Sequence, residues 1–322
     1  EERKAAAAAA AAANNMTEEE IPLVKAKLNE KIDTTETALQ NWREAIVDEW
    51  TWQNTSDNIE TAGRIEQKKR YQQNTEGLRG KENAIKALIS LDAIFDDTPQ
   101  IRAFKAKKED KERTWNNQAA EKQNNIENKQ AEFVTEYDAI NEAINGTGLL
   151  DINVNGQSKK IKLNTKDNRE HINAEIIKFK NLQKKKEFVE IQKKISSLDI
   201  EYKKNEKVYN NITNSISQAN TKKSNLAPNK QNQKPILTSV IEFIQSVEKQ
   251  QVDRVIKRNL TKIYPAEFNN IELNNDRFDT LVEILYQNNM LKKILKFIEE
   301  TATPAAAATP VAPDAAAATS VA

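Results

Sequence analysis

The sequence has no cysteine and only one histidine, His171, among its 322 residues. Without cysteine, the chain has neither a disulfide framework nor a thiol-ligated metal site. A transition-metal site also needs more nitrogen ligands than a single histidine supplies. We therefore expect His171 to face solvent or cap a helix, rather than to act as a general base or a metal ligand.

Glycine and proline are also scarce, with 6 and 8 residues, and aromatic residues make up only 6% of the chain. Few glycines and prolines leave few tight turns, so the regular elements should be long. Few aromatic residues argue against one large globular core along the whole length. No run of about 18 apolar residues occurs, so the sequence predicts no transmembrane helix.

The charge is nearly balanced, because 49 basic and 48 acidic residues give a net charge of +1. Nucleic-acid binding usually leaves a basic footprint, and the chain as a whole has none. Most local basic runs are expected to be solvated helix faces. The exception is the run Lys184, Lys185 and Lys186, which is the candidate for contact with a phosphoinositide head group on an anionic membrane.

No motif in the chain indicates catalysis. Carboxylate pairs occur at helical spacing, but such pairs usually form exposed ion pairs worth about 0.2–0.5 kcal/mol. Gly146 and Gly148 lack the third glycine, and the following Gly-Lys-Ser/Thr, that phosphate-binding loops require. We expect a non-enzymatic protein with no catalytic residues, no cofactor and no metal.

The N-terminal part of the chain predicts helices. A run of alanines within residues 1–16 indicates the end of a helix that enters from upstream. Thr17 and Glu20 form a capping-box pattern, which predicts the start of a long-helix region over 17–148. A shorter and more apolar helix is expected within this region, at 81–95.

A β-hairpin is predicted between the long helices, at 149–164. Apolar residues alternate with polar ones along two short runs, as in half-buried strands. The dipeptide Asn155-Gly156 between these runs is the strongest short-range signal for a two-residue hairpin turn.

The clearest periodicity follows, in a coiled-coil helix expected over 165–225. Seam residues recur at spacings of three and four from Phe188 to Ala219, as in a coiled coil. Asn205 is a polar residue at a seam position, where such a residue commonly fixes the register. The preceding long helix is the natural partner, in an antiparallel helical hairpin, although self-association of two chains would use the same seam.

The C-terminal part changes character. Residues 236–302 have broad apolar faces, which predict helices that pack into a compact unit. Residues 303–322 consist mostly of alanine, proline and threonine, and we expect a linker or disordered tail there. The predicted fold class is therefore mainly α and elongated, with long antiparallel coiled-coil helices, one small β-hairpin and a compact helical C-terminal part.

The four tryptophans of the chain all lie on the first two long helices. Trp50 and Trp52 are two residues apart and cannot share one helix face, so one can pack inside while the other stays exposed. An exposed tryptophan on a polar helix is a candidate hot spot for a partner, and the alternative is an internal helix–helix anchor. The candidate partner-binding residues are Trp50, Trp52 and Trp115, with Ile152 and Val154 of the hairpin.

This arrangement resembles the central region of the LidA family of Legionella effectors, which bind Rab-family small GTPases. The resemblance covers nearly the whole chain. It consists of an upstream poly-alanine helix, long helices rich in Asn and Lys, the Leu150–Leu163 hairpin, the Phe188–Ala219 heptads and an Ala/Pro tail.

The resemblance implies a non-catalytic, monomeric helical clasp that binds a Rab protein tightly and affects host vesicle trafficking. It also implies secretion into a host cell, with a location on the cytoplasmic face of vacuole or vesicle membranes. Any nucleotide and Mg²⁺ would belong to the GTPase partner. The alternative function is that of a coiled-coil spacer or tether that associates with itself.

Overall fold

The computed structural model describes residues 16–76, 99–225, 278–289 and 291–296, together with residues 238 and 242. The expected short helix at 81–95, the tail at 303–322, and most of the expected segments at 1–16 and 236–302 lie outside the described residues. The described part is mainly helical with one small antiparallel hairpin, so the predicted fold class is confirmed.

Three of the helices are long enough to set the length of the molecule. The elements in chain order are α1 (Glu20–Gln53), α2 (Ser56–Glu76), α3 (Pro99–Asn145), β1 (Leu149–Val154), β2 (Gln157–Lys162), α4 (Lys166–His171), α5 (Asn173–Ser224), α6 (Phe278–Gln287) and α7 (291–296). At 1.5 Å per residue, the longest helix spans about 80 Å.

The first helix begins at Glu20, and the Glu20 half of the predicted capping box is present. The backbone N–H of Thr17 donates to Oε2 of Glu20 at 3.0 Å. The backbone N–H of Glu20 donates to the carbonyl of Thr17, which closes the first turn. The Glu20 side chain therefore satisfies an N–H that a helix start would otherwise leave unpaired.

The helical spacing of apolar residues predicts one continuous helix through Ile65, but the structure separates α1 from α2 at Asn54 and Thr55. Nδ2 of Asn54 donates to the carbonyl of Trp50 at 2.8 Å. Oγ1 of Thr55 donates to the carbonyl of Trp52 at 3.0 Å. Such short polar side chains compete with the backbone for carbonyls, and this competition favours a helix end over a helix interior.

Helices α1, α3 and α5 form a bundle in which α3 runs antiparallel to the other two. The core between them contains Trp42, which stacks on Phe133 with ring centroids 5.7 Å apart. Tyr137 of α3 stacks on Phe179 of α5 at 5.1 Å. The predicted antiparallel course of α3 and α5 is therefore present in the structure.

Helices α1 and α5 run parallel, and polar pairs join them along their length. Each pair links residues 149 positions apart, and four of the five recur at seven-residue intervals, as expected for two helices that share one facing seam. The pairs are Asn29 with Lys178, Glu36 with Lys185, Arg43 with Gln192, Trp50 with Asp199, and Asn54 with Lys203.

The heptad face of α5 packs differently from the prediction that α3 would cover it. Phe188, Ile191 and Ile195 form one apolar cluster with α6 and α7. Further along, Tyr209 is 38% exposed although the repeat places it in the seam. An α-helix has 3.6 residues per turn, so a seven-residue repeat drifts around it by about 20° per heptad. The side chains of Ile212 and Ala219 lie outside the described ones.

The hairpin is confirmed at the predicted position and turn. Strands β1 and β2 are antiparallel, with Val154 opposite Gln157. Asn155 and Gly156 both have positive φ, of 54° and 85°, as a two-residue type I′ turn requires. The inner face of the hairpin continues the bundle core, through Leu150, Ile152, Ile161 and Leu163.

Candidate functional site

A groove lies between the N-terminal half of α1 and the hairpin, with a cavity volume of about 480 Å³. We call it the hairpin groove. Leu23 contributes an apolar side chain that is 40% exposed, and Leu149 on the same hairpin is 44% exposed. The groove is lined by Leu23, Ala26, Lys27, Glu30, Asp151, Ile152, Asn153 and Ser158.

The α1 wall of this groove follows from helical geometry. Leu23, Ala26, Lys27 and Glu30 are spaced three, one and three residues apart, so they lie on one face of the helix. The neighbouring residues Val24 and Leu28 are fully buried in the core, and they fix the orientation of α1. The four α1 residues that line the groove are therefore held in place by their buried neighbours, although they are not part of the core themselves.

The hairpin is attached to α1 and α4 by buried polar contacts. The side chain of Asn168 is fully buried, and its Oδ1 accepts from the backbone N–H of Met16 at 2.9 Å. Its Nδ2 donates to the carbonyl of Lys162, at the end of β2, at 2.6 Å. Lys159 donates to Oε1 of Glu20, and this hydrogen bond lowers the pKa of the Glu20 carboxyl. The hairpin and α1, which form the two walls of the groove, are thus connected by contacts within the chain itself.

The hairpin that lines the groove has two strand edges. The sheet has only two strands in the described part of the chain, so each strand has an outer edge. Lys159, Lys160 and Lys162 make β2 an edge of the charged kind that resists pairing with another strand. Strand β1 carries one charged residue, Asp151, and an extended partner segment could pair with it through main-chain hydrogen bonds.

The two hairpin residues predicted to bind a partner are located beside this groove, with unequal access. Ile152 is only 4% exposed and belongs to the bundle core, so it supports the groove more than it faces solvent. Val154 is partly buried and packs against the same core. The sequence analysis did not single out Leu23 or Leu149. Leu23 could have been found from the sequence, because it is an apolar residue that lies just outside the buried face of α1.

The three predicted tryptophans are all partly buried and all contact other helices. Nε1 of Trp50 donates to Oδ2 of Asp199 on α5 at 2.9 Å. Trp52 stacks on Trp115 of α3, with ring centroids 5.7 Å apart. Trp50 and Trp52 therefore face different helices, as their spacing predicts, and both serve as helix–helix contacts. Trp50 lies about 36 Å along α1 from Ala26, so the structure does not bring the tryptophans and the hairpin residues together.

A charged pair is partly buried close to these tryptophans. Burial raises the pKa of the Glu49 carboxyl, against the opposing effect of Lys204 and Lys193. Burial lowers the pKa of Lys204, and Glu49 opposes this change. The ammonium of Lys204 also lies 5.3 Å from the ring centre of Trp115. Sequence reasoning missed this pair because Glu and Lys are abundant throughout the helices.

The lysines predicted to contact lipid are engaged within the bundle. Lys184 pairs with Glu283 of α6 at 3.2 Å, and Lys186 lies over the ring of Tyr137. Lys185 pairs with Glu36 and with Asp279, and its pKa is raised by these hydrogen bonds although burial opposes them. The three ammonium groups thus have contacts with the chain itself, which a lipid head group would have to replace.

His171 is exposed at the end of α4. Over the residues that the structure describes, no group of three or more His, Cys, Asp or Glu side chains could hold a metal ion. Within the same residues, no helix combines the length and the apolar character needed to cross a bilayer.

Comparisons with known proteins add no relative to this picture. No protein-family model, no curated protein and no solved structure matches the chain.

Proposed function

We propose that this chain is a non-catalytic binding protein that holds a folded partner protein in the hairpin groove. The observation that carries the proposal is a groove between α1 and the hairpin, lined by the exposed apolar residue Leu23, with a second exposed apolar residue, Leu149, on β1. A partner segment that pairs with β1 would place its side chains against α1. Main-chain hydrogen bonds then supply affinity, and the pockets along the groove supply specificity.

The rigidity of the groove supports tight binding. Association has to offset lost translational freedom and the ordering of loops and side chains at the interface. Here Asn168 and the Glu20–Lys159 pair hold the hairpin against the helices in advance. Little further ordering is required of this chain, so most of the interaction energy remains available for affinity.

The class of partner comes from the resemblance to the Rab-binding effectors. We propose a Rab-family small GTPase, bound by a protein that a bacterium delivers to the cytoplasmic face of host vesicles. In this proposal the nucleotide and Mg²⁺ belong to the GTPase. The stacked pair of Trp52 and Trp115 remains a second candidate contact, since both rings keep part of their surface exposed.

The test is the affinity of the full chain for a panel of purified Rab GTPases, each loaded with GDP or with a non-hydrolysable GTP analogue. Leu23→Lys should weaken binding about tenfold or more, because a charge replaces an apolar contact in the groove. Ile284→Lys is the matched control, since Ile284 is 50% exposed on α6 and lies outside the groove. Failure of every Rab to bind would contradict the proposed partner class. Equal affinity of Leu23→Lys and the unaltered chain would contradict the proposed groove.

Self-association through the heptad face is the second candidate function. Its support is the regular repeat itself, which is typical of helices that pair. In the structure the best part of this face, at Phe188, Ile191 and Ile195, is covered by α6 and α7 of the same chain. A second copy would have to displace these helices, so we favour partner binding over self-association.

A further inference from the structure

A second groove lies between α2 and the first part of α3, with a cavity volume of about 180 Å³. We call it the basic groove. Its apolar lining residues, which we call its floor, are Ile65 and Phe104. The other lining residues, which we call its rim, are Thr61, Arg64, Lys107, Lys108, Lys111 and Glu112. Along the path of α1 and α2, Ile65 lies about 60 Å from Leu23 of the hairpin groove, so the two grooves are separate surfaces.

The floor of the basic groove is apolar but incompletely covered. Ile65 is only 8% exposed, whereas Phe104 is 66% exposed. A single exposed apolar side chain is common on protein surfaces and needs no explanation by itself. Phe104 differs because it borders a groove that Ile65 also lines, so an apolar group placed between them would bury surface of both side chains at once.

The rim has lysines that no described residue pairs with. Lys107, Lys108 and Lys111 form no ion pair with any part of the chain that the structure describes. Three of the acids nearby are engaged with other residues, because Glu60 pairs with Arg64, Asp110 pairs with Arg113 at 2.5 Å, and Glu112 pairs with Lys68 at 3.6 Å. Three lysines on two successive turns of α3 therefore line the same opening without an ion pair to any described residue.

We infer that the basic groove binds an acidic amphipathic segment of a partner protein. One bulky apolar side chain of that segment fills the space between Ile65 and Phe104. Carboxylates on either side of it pair with Lys107, Lys108 and Lys111. The combination of apolar burial with complementary charge is what distinguishes this surface from an ordinary solvated helix face.

The size and shape of the groove favour a peptide over other ligands. Sites for small molecules usually enclose about 300–1,000 Å³, which is more than this groove offers. A bilayer would meet Phe104 and the lysines, but a flat surface would leave the recessed wall at Ile65 uncovered. A single side chain on a helix or an extended segment reaches that wall and leaves its neighbours at the rim.

The experiment uses the full chain and a fluorescent synthetic peptide of about 15 residues, rich in glutamate, with one central phenylalanine. Fluorescence anisotropy measures its affinity. A matched peptide carries serine in place of that phenylalanine. Two chain variants test the groove, Phe104→Ala and the double variant Lys107→Glu/Lys108→Glu. The control is Lys160→Glu/Lys162→Glu, which makes the same change of charge on the exposed outer face of the hairpin.

We expect the phenylalanine peptide to bind the unaltered chain and the control with equal affinity. Phe104→Ala, the charge-reversed double variant and the serine peptide should each weaken binding about tenfold or more. Equal loss in the control variant would mean nonspecific charge attraction and would overturn the inference. So would vesicles containing phosphatidylserine that bind in a Phe104-dependent manner while the peptide does not. Because the Rab assay uses the other groove and another probe, either proposal can fail without the other.

Discussion

Single residues such as Asn168 hold several elements of this fold in register. Its side chain accepts a hydrogen bond from Met16 ahead of α1 and donates one to Lys162 at the end of β2. Its own backbone N–H is capped by Oγ1 of Thr165. One amide group thereby connects α4 to the nearby end of β2 and to Met16, which is 152 residues away in sequence. The distant contact could not have been predicted from any local pattern.

We predict that Asn168→Ala lowers the free energy of unfolding by about 2–4 kcal/mol, because the N–H of Met16 and the carbonyl of Lys162 lose their partner in a buried site. Urea denaturation followed by circular dichroism measures the change. The control is Asn116→Ala on the exposed face of α3, which should stay within about 0.5 kcal/mol of the unaltered chain. A loss no larger than that in Asn168→Ala would contradict the role assigned to this residue.

The partly buried Glu49 predicts a dependence of stability on pH. Since burial raises its pKa in the folded chain, the folded state binds its proton more tightly than the unfolded state does. Its contribution to stability is therefore fully present below the unfolded pKa and is lost as pH rises through the raised folded pKa. Glu49→Gln cannot ionise, so its stability relative to the unaltered chain should increase from about pH 4 to neutral pH.

Denaturation curves of the two proteins across this pH range measure the effect, with Glu121→Gln at an exposed position of α3 as the control. A stability difference between Glu49→Gln and the unaltered chain that stays constant with pH would show that Glu49 ionises without cost in the fold. A difference that moves in the opposite direction would mean that its attraction to Lys204 outweighs burial.

The elements of this protein differ in how well the local sequence predicts where they begin and end. The hairpin was predictable because Asn155-Gly156 determines its turn locally, and the start of α1 was predictable because Thr17 and Glu20 are three residues apart. The interruption of the first helix depends on the side chains of Asn54 and Thr55 reaching carbonyls of the preceding turn. Asn and Thr residues can make such hydrogen bonds at a helix end, but they also occur within helices, so the break could not be predicted from these two residues.

Packing between elements is harder to predict than the elements themselves. The seven-residue repeat of α5 identifies an apolar face of the helix. The repeat does not indicate which other helix covers that face. The structure places α6 and α7 there, while α3 meets α5 through Tyr137 and Phe179. The hairpin groove was missed for a related reason, since it exists only where α1 and β1 meet.

The contact between α2 and α5 is close enough to require glycine at position 63. A Cβ added to Gly63 would lie 2.6 Å from Cγ and 3.0 Å from Cβ of Lys207. We predict that Gly63→Ala destabilises the fold by about 1–3 kcal/mol, although alanine is the better helix former by about 1 kcal/mol. In a Lys207→Ala background the loss should shrink, because the nearest clashing atom is gone. Equal losses in both backgrounds would contradict the steric explanation.

At the scale of the whole molecule, the described residues form a bundle of long helices, with the hairpin groove beside the first part of α1 and the basic groove between α2 and α3. Its described residues offer structural explanations for the tryptophans and for Lys184–Lys186, all of which make contacts inside the bundle. Two exposed apolar side chains, Leu23 and Phe104, line the two grooves instead. A protein with this distribution is suited to holding partners at separate sites along a preformed scaffold.

The central claim is that the chain binds a folded partner rather than copies of itself. The most direct measurement is size-exclusion chromatography with light scattering, on the chain alone and mixed with each purified Rab GTPase. The account predicts a monomer of 36.5 kDa that shifts to a stable one-to-one complex with at least one Rab. A dimer or larger species that ignores every Rab would contradict it, and would identify self-association through the α5 heptads as the function.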